Sequence, residues 1–457
     1  MNLKSHQNAG LFTSSHYNAV SVTVAVAPSC TLLSELKQIM THTKCLGPCR
    51  PLWLYRASQL TPHLRSLQDG HYTLIHIPLD LYSALLQPIL RVLLPQTQTL
   101  KASKGEPEHE LEGLNAESQH GFLNISVTPM ECSIVCHSSW AKNVFEPAIQ
   151  DLPKDLAKSV SISKDTYLVL SVISAGMDAA GRVMELTSPL ALAGIPIFFI
   201  TTYYSDFILV PSKDRQTVVK ALLARGFELA DNDSNFVSPA ASIHSRGPSQ
   251  TNGSNGAGAP PLTPPPSTIA ELQVRTFDLL KKRSVAPYVE DNLLLVQCSG
   301  RETSQLGGEL SHTQRPSLSR QVTGNSHRQT WLDNIDAKLY TAMISALAAR
   351  PRFLSITLAQ EDPPSLLLDK SLLGLFGDSL VGDTKTNLTP IFLDLESLPF
   401  EATGIVCGVA GTLVQDMRTG DSAGLSYLST ARAGAVILDC EQSILALEIL
   451  KPKLFKA

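Results

Sequence analysis

The feature that most constrains the fold is a recurring order of strand and helix signals. The run Ser21–Ala27 is β-branched, apolar residues at helical spacing follow it, and two further strand-like runs precede an apolar-faced helix over Leu79–Leu93. The same strand–helix–strand–strand–helix order returns between Thr166 and Arg225. Units of this kind bury one face of a small sheet under helices. The pattern therefore predicts an α/β class of fold, an α+β sandwich of tandem ferredoxin-like βαββαβ modules.

The second half of the chain repeats the first. Ile200–Val210 (ITTYYSDFILV) aligns with Leu428–Leu438 (LSTARAGAVIL), and each follows a helical segment. We therefore predict four modules in two duplicated halves, with small ligands bound in clefts between equivalent edges. The predicted bounds are 21–97 for the first module, 121–235 for the second, 271–380 for the third and 385–457 for the fourth.

Several polar segments contain too few apolar residues to join a core. Gly, Ser, Asn and Pro dominate Ser238–Ala270, which includes RGPSQTNGSNGAGAPPLTPPPS. We predict disorder in a tail over 1–20, in linkers over 98–120 and 238–270, and in an insertion over 300–329. Thr263, Ser317 and Ser319 have the proline or arginine neighbours of phosphorylation sites. The alternative is that these segments are passive spacers.

Charge and hydropathy exclude two classes of partner. Lys and Arg number 37 against 41 Asp and Glu, a net charge of -4 without a basic domain, so we predict no nucleic-acid partner. The longest apolar run, Pro189–Ile200, is far shorter than the roughly 20 residues that span a bilayer. The first twenty residues also lack the apolar core of a secretory signal. We therefore expect a cytoplasmic protein without a membrane partner.

The eight cysteines are ordinary usage for 457 residues. Two pairs, Cys45/Cys49 and Cys132/Cys136, have the spacing C-x3-C, which raises the question of zinc. The second pair lies in MECSIVC, which reads as a strand, and residues four apart along a strand are about 13 Å from each other. We predict buried thiols, no metal and no cofactor.

One catalytic motif stands out. Phe376–Leu380 reads FGDSL, which in one lipase and esterase family carries the nucleophilic serine. That chemistry needs a histidine base downstream of the serine. All twelve histidines precede Ser379. We therefore predict no enzyme, and a GDSL-type hydrolase is only a second alternative.

A polar hairpin tip interrupts two apolar strands. Thr202–Asp206 (TYYSD) lies between strand signals at Pro196–Thr201 and Phe207–Val210. The tip combines hydroxyl groups with one carboxylate, which suits a ligand amine or a partner protein. Ordinary turn composition is the alternative.

The segment Ala193–Val210 (AGIPIFFITTYYSDFILV) resembles the signature of the ACT-domain family related to the CASTOR cytosolic arginine sensors. The likeness extends over nearly the whole chain outside the predicted linkers, and it is weaker in the second half. It implies four ACT modules, a ligand between the second and fourth modules, and signalling to TOR complex 1 through a GATOR-type partner. The further matching segments are Val127–Cys136, Asp165–Val172, Gly404–Val406 and Leu428–Thr430.

The resemblance also implies positions for a ligand site. The ligand carboxylate falls at Pro196 and Ile197, of which only Ile197 has a backbone N–H to donate. The acidic positions of the family fall on Gly434 and on Ala402, which has Glu401 beside it. Because a buried cation needs a partner, an altered ligand or none is plausible. The complete set of implied ligand-binding residues is Pro196, Ile197, Glu401, Ala402, Thr403, Thr430, Ala431 and Gly434.

In the resembling family the second module's tip contacts the signalling partner, which here implies Tyr203, Tyr204 and Asp206. Two aromatic rings are frequent interface anchors, and a carboxylate can meet a partner's Arg or Lys. Asp206 has the alternative roles of capping the turn or contacting a ligand. We thus predict a non-enzymatic amino-acid sensor, for arginine or another small amino acid, with a homodimer left open as its assembly. The first alternative is an ACT-fold scaffold that no longer binds ligand.

Overall fold

The fold is known from a computed structural model, which describes ten stretches of the chain. They are 63–67, 70–95, 113–114, 121–173, 179–229, 266–301, 336–360, 362–399, 401–417 and 424–455. Predictions for the tail over 1–20, the strand at Ser21–Ala27, most of the linkers and the sites Thr263, Ser317 and Ser319 lie outside the described residues. Within the described stretches, no helix combines the length and apolar composition needed to cross a membrane.

Strands and helices alternate through the described residues. The strands are β1 His63–Leu67, β2 Tyr72–Ile77, β3 Phe122–Val127, β4 Cys132–His137, β5 Ser161–Ile162, β6 Tyr167–Ile173, β7 Phe198–Thr201, β8 Ser205–Pro211, β9 Glu228–Leu229, β10 Pro287–Tyr288, β11 Leu295–Gly300, β12 Leu354–Ala359, β13 Ser365–Asp369, β14 Leu380–Val381, β15 Leu388–Asp394, β16 Ser426–Ser429 and β17 Ala433–Asp439. The α-helices are α1 Leu86–Leu93, α2 Ser138–Trp140, α3 Glu146–Gln150, α4 Lys154–Ala157, α5 Ala179–Leu192, α6 Arg215–Ala224, α7 Ile269–Lys282, α8 Ala337–Ala348, α9 Leu373–Phe376, α10 Ile405–Met417 and α11 Cys440–Leu454. A π-helical turn, Ala141–Phe145, joins α2 to α3.

The strand–helix–strand–strand–helix order occurs four times. We call these segments repeat 1 (β2, α1, β3, β4, α2–α3), repeat 2 (β6, α5, β7, β8, α6), repeat 3 (β11, α8, β12, β13, α9) and repeat 4 (β15, α10, β16, β17, α11). The architecture is α+β with many antiparallel strands.

Repeat 1 differs from the predicted first module. Strand β4 pairs with β2 over six residues, from Tyr72↔His137 to Ile77↔Cys132, and β3 pairs with β4. The predicted boundary between 97 and 121 therefore falls inside this repeat. The polar segment 98–120 was predicted to separate two modules because it follows a complete apolar helix. In the structure it lies within repeat 1, between α1 and β3.

The predicted linker over 238–270 also ends too late. Helix α7 begins at Ile269, and the Thr268 hydroxyl accepts a hydrogen bond from the Glu271 N–H at 3.2 Å. This N-cap satisfies one of the unpaired amides of the first helical turn. The Pro-rich composition that precedes Ser267 obscured this start.

Twelve strands close into one ring, in the order β2-β4-β3-β12-β13-β11-β15-β17-β16-β7-β8-β6 and back to β2. The strands of repeats 1 and 3 form one arc, the 1–3 sheet, because β3 pairs with β12 over six residues. The strands of repeats 2 and 4 form the other arc, the 2–4 sheet, where β7 meets β16 at Ile200↔Leu428. Single pairs, Tyr72↔Tyr167 and Leu295↔Leu388, join the two sheets.

Both faces of each sheet are covered, which explains why the strands have few exposed positions. The outer face of the 1–3 sheet packs against α1, α2 and α8, and that of the 2–4 sheet packs against α5, α7, α10 and α11. Between the sheets lies an inner cluster that includes Tyr72, Phe122, Phe207 and Phe392. Since side chains alternate across a strand, Leu123 and Ile125 reach the outer core while Asn124 points the other way. The Asn124 amide donates to Ser355 and Thr357 on β12.

Candidate functional site

A pocket of about 230 Å³ lies where repeat 2 meets repeat 4. Its walls come from the start of β7, the loop after β15, the start of α10 and the β16–β17 tip. The lining residues are Ile197, Phe198, Leu395, Glu396, Leu398, Pro399, Ala402, Gly404, Ile405, Val406, Tyr427, Ser429, Thr430, Ala431, Arg432 and Ala433. Its volume is below the roughly 300–1,000 Å³ of pockets for drug-sized ligands, so it suits a smaller molecule.

The first turn of α10 opens onto the pocket through Gly404, Ile405 and Val406. Gly404 has φ 80°, and a Cβ there would lie 2.5 Å from the side chain of Leu272 on α7. Glycine therefore allows α7 to approach the beginning of α10 closely. The first amides of a helix have no partner within the helix and carry partial positive charge. This wall of the pocket suits an anionic group.

The β16–β17 tip is fixed to repeat 1 from behind. The Glu131 carboxylate accepts hydrogen bonds from the Thr430 hydroxyl at 2.6 Å and from the Arg432 N–H at 2.7 Å. Its other oxygen lies 2.5 Å from Nδ1 of the buried His76. Ser133 Oγ accepts from the Ala431 N–H at 3.0 Å. Three backbone or hydroxyl groups of the pocket wall are thus held by residues of another repeat.

The charged residues of the pocket lie at its mouth. Arg432 forms an ion pair with Glu396, and both side chains are substantially exposed. An exposed ion pair contributes little to stability. The pair nevertheless leaves the mouth of the pocket close to neutral.

Tyr427 carries a buried polar group in the pocket lining, as do Ser429 and Thr430, whose hydroxyl groups have hydrogen-bond partners. Tyr427 is 1% exposed, and its hydroxyl has no hydrogen-bond partner in the described part of the chain. Burial raises the pKa of Tyr427, so the hydroxyl stays protonated at neutral pH. A buried hydroxyl without a partner is costly, and a ligand atom can supply the missing bond.

The implied ligand-binding residues divide into two groups. Ile197, Ala402, Thr430 and Ala431 line the pocket. The neighbours that do not line it are Pro196, Glu401, Thr403 and Gly434. Gly434 lies behind Tyr427, because a Cβ at 434 would be 2.5 Å from the Tyr427 hydroxyl.

Sequence reasoning missed Tyr427, Arg432 and the Glu131–His76 pair. Glu131 and Thr430 are 299 residues apart, so no local spacing could connect them. Tyr427 and Arg432 were accessible in principle, since they lie within three residues of Thr430 in the recognised repeat.

The other tip, between β7 and β8, has two of its predicted residues at the surface and one in the interior. Tyr203 and Tyr204 are exposed, with their rings edge to face at 4.8 Å. Asp206, expected to face a partner, is 1% exposed and lies 3.0 Å from Arg182 of α5. Burial raises the pKa of Asp206 to about 6, although Arg182 opposes the shift. Asp206 therefore belongs to the interior, because α5 supplies its counter-charge there.

The FGDSL segment lies in a groove of about 470 Å³ between α8 and residues 374–379. Ser379 is 3% exposed, and its N–H donates to the Phe376 carbonyl at 3.0 Å. No histidine is among the described residues that line this groove. The FGDSL segment is thus a buried turn in this structure.

The predicted thiols Cys132 and Cys136 are both buried and free, and burial raises the pKa of each. They lie on one strand, β4, as the spacing argument required. Across the stretches with described structure, no three His, Cys, Asp or Glu side chains cluster to hold a metal ion. Cys45 and Cys49 lie outside the described residues.

Residues 162–224 match the ACT domain family, and this range runs from the end of β5 through α6. The chain therefore contains an ACT domain at repeat 2. Similar solved structures include a protein from Agrobacterium tumefaciens (21% identity, covering 37% of this chain and 92% of that chain, TM-score 0.23). Others are the aspartate kinase from Synechocystis (11%, 86% and 56%, TM-score 0.27) and the ligand-free regulatory subunit of aspartate kinase from Thermus thermophilus (12%, 35% and 95%, TM-score 0.22).

Proposed function

We propose that this protein is a non-enzymatic regulatory protein that binds a small amino acid between repeats 2 and 4. ACT domains bind small amino-acid ligands in regulatory proteins, and repeat 2 contains one. The observation that carries the proposal is the pocket itself, which combines a helix start with the unpartnered hydroxyl of Tyr427. A concave, largely apolar site with a few convergent polar groups is the usual form of a small-ligand site.

The ligand's carboxylate fits the wall at the start of α10. The amides there favour an anion, and the Arg432 side chain lies in the same pocket. Ile197, the backbone donor implied by the resemblance, also lines the pocket. The apolar lining residues Phe198, Leu395 and Leu398 leave room for an aliphatic part of the ligand.

The more specific part of the proposal rests on the resemblance of residues 193–210 to the CASTOR-like sensors. We propose that all four repeats are ferredoxin-like ACT modules, that the ligand is arginine or another small amino acid, and that the protein acts in the cytoplasm. The partner would be of the GATOR type, upstream of TOR complex 1, with Tyr203 and Tyr204 as exposed anchors. A homodimer is part of the same proposal.

Calorimetric titration of the full chain with each of the twenty standard amino acids tests ligand binding. We expect at least one to bind, and Ala402→Phe to abolish that binding by filling the pocket. Ala349→Phe is the matched control, because Ala349 is an exposed residue at the end of α8. If the wild type binds none of the twenty amino acids, the proposed sensor function is wrong. The ACT-fold scaffold is then the function that remains.

The scaffold alternative has its own support in the exposed ring pair Tyr203/Tyr204, which needs no ligand to meet a partner. Co-purification separates the two functions. A scaffold captures the same proteins with or without the amino acid, whereas a sensor changes its capture when the amino acid is added.

A further inference from the structure

The tips of repeats 2 and 4 have the same backbone arrangement, so their residues can be matched one to one. The Phe199 N–H donates to Ser429 Oγ at 2.9 Å, and the Tyr427 N–H donates to Thr201 Oγ1 at 3.0 Å. These reciprocal bonds make Phe199 equivalent to Tyr427. The cross-strand pairs Thr201↔Asp206 and Ser429↔Gly434 make Asp206 equivalent to Gly434.

At these two pairs of equivalent positions, the polar atom is carried by different members of the pair in repeat 2 and in repeat 4. Repeat 2 has an apolar ring at Phe199 and a carboxylate at Asp206. Repeat 4 has a ring with a hydroxyl at Tyr427 and no side chain at Gly434. Because a Cβ at 434 would lie 2.5 Å from the Tyr427 hydroxyl, that hydroxyl occupies the volume that a side chain at 434 would fill.

This difference leaves repeat 4 without a carboxylate at the position of Asp206, beside the pocket. In repeat 2 the buried carboxylate holds a cation, the guanidinium of Arg182, at 3.0 Å. In repeat 4 the corresponding atom is a neutral hydroxyl, fully buried and without a partner among the described residues. Glu396 is the one carboxylate among the described residues lining the pocket, and Arg432 already neutralises it. Glu131 lies behind the tip and is occupied by Thr430, Arg432 and His76.

We propose that the pocket selects an amino acid whose side chain carries no positive charge, and that Tyr427 is the residue that sets this preference. The ligand presents a hydrogen-bond acceptor to the Tyr427 hydroxyl, since a protonated tyrosine buried without a partner gains most by donating. A lysine or arginine side chain would meet no unpaired carboxylate in the pocket, and a buried cation without a partner is strongly disfavoured. This inference rests on the proposed function, because it concerns the ligand of the same pocket.

Titration calorimetry with L-leucine, L-methionine, L-glutamine, L-serine, L-arginine and L-lysine tests it on the full chain. We expect the best neutral amino acid to bind at least about tenfold more tightly than either basic one. Tyr427→Phe should weaken that binding by about five- to tenfold, the effect of one hydrogen bond. Tyr340→Phe is the matched control, because Tyr340 is also fully buried with an unpartnered hydroxyl, in the outer core of the 1–3 sheet. It should leave binding unchanged.

A gain of binding gives an independent test. Tyr427→Phe combined with Gly434→Asp transfers the arrangement of repeat 2 to repeat 4 and should increase the affinity for L-arginine or L-lysine by about tenfold or more. The inference is overturned if the wild type binds a basic amino acid most tightly, or if Tyr427→Phe binds as Tyr340→Phe does. If neither the wild type nor the double variant binds any of the twenty amino acids, the proposed function is wrong and the role of Tyr427 is lost with it.

Discussion

The β7–β8 tip and the β16–β17 tip share a backbone frame but differ in what surrounds it. In each, a threonine N–H donates to the carbonyl three residues on, and the threonine hydroxyl accepts from the N–H there, in Thr202–Ser205 and in Thr430–Ala433. A serine of another repeat accepts from the next N–H, Ser365 for Tyr203 and Ser133 for Ala431. The frame is therefore the constant part of the duplication.

The difference lies in the attachments. The β16–β17 tip is held by one buried carboxylate, Glu131, which accepts hydrogen bonds from two groups of the tip and also contacts His76. The β7–β8 tip meets Asp362, whose carboxylate accepts from the Ser205 hydroxyl at 2.5 Å. The tip that lines the pocket is held more firmly, while the tip with the tyrosines presents its rings to solvent. The two tips therefore share the same backbone hydrogen bonds because they occupy equivalent positions in their repeats. The residues that other repeats supply determine how firmly each tip is held.

The largest effect should come from Glu131→Ala. Removal leaves the Thr430 hydroxyl, the Arg432 N–H and His76 without their shared acceptor, so we expect a loss of about 3 to 5 kcal/mol in the free energy of unfolding. Asp362→Ala at the other tip should cost only about 1 kcal/mol. Urea denaturation of both variants measures the contrast, and equal losses would show that the two attachments do not differ.

Asp206 should give the stability a pH dependence. Its pKa is raised from 3.8 to about 6 in the folded state, so the folded protein binds this proton more tightly than the unfolded chain does. Relative to Asp206→Asn, the wild type should therefore lose about 3 kcal/mol of unfolding free energy as the pH rises from about 4 to about 6. Denaturation at a series of pH values measures this slope. A flat difference would mean that Arg182 fully compensates the burial.

Gly434→Ala should disturb the pocket tip through Tyr427. The new methyl group would lie 2.5 Å from the hydroxyl, and overpacking of this kind costs about 1 to 3 kcal/mol. Adding Tyr427→Phe removes the colliding oxygen and should restore most of the loss. Thermal unfolding of the single and double variants measures the coupling between the two substitutions. If their effects on the unfolding free energy simply add, the strain does not come from the contact with the Tyr427 hydroxyl.

Tyr203→Ala with Tyr204→Ala should have the smallest effect on stability. Both rings are exposed, so a loss of about 1 kcal/mol or less is expected. Amino-acid affinity should be unchanged, and co-purification of the partner should be abolished. A folded variant that keeps its partner would reduce this tip to an ordinary turn, and an unfolded variant would make the rings part of the core.

The sequence predicted the parts of this molecule that depend on local pattern. β-branched runs and helical spacing revealed the recurring element order. The alignment of Ile200–Val210 with Leu428–Leu438 matched residues that make equivalent hydrogen bonds and cross-strand pairs in the two repeats. Contacts between distant repeats were invisible to such patterns. The burial of Asp206 depends on Arg182, which a helix brings over the strand. The attachment of Thr430 to Glu131 depends on how the ring closes.

The closed ring interleaves the chain, since repeat 1 shares its sheet with repeat 3 and repeat 2 with repeat 4. The β3–β12 seam, for example, joins Asn124 to Ser355 across 231 residues. During synthesis, neither sheet can be completed until repeats 3 and 4 have left the ribosome, and such non-local pairing makes folding slow. The same interleaving means that a chain cut between residues 229 and 266 would yield two fragments, each carrying half of both sheets. Neither fragment should fold alone, and their reassociation would rebuild the pocket between repeats 2 and 4 from two separate polypeptides.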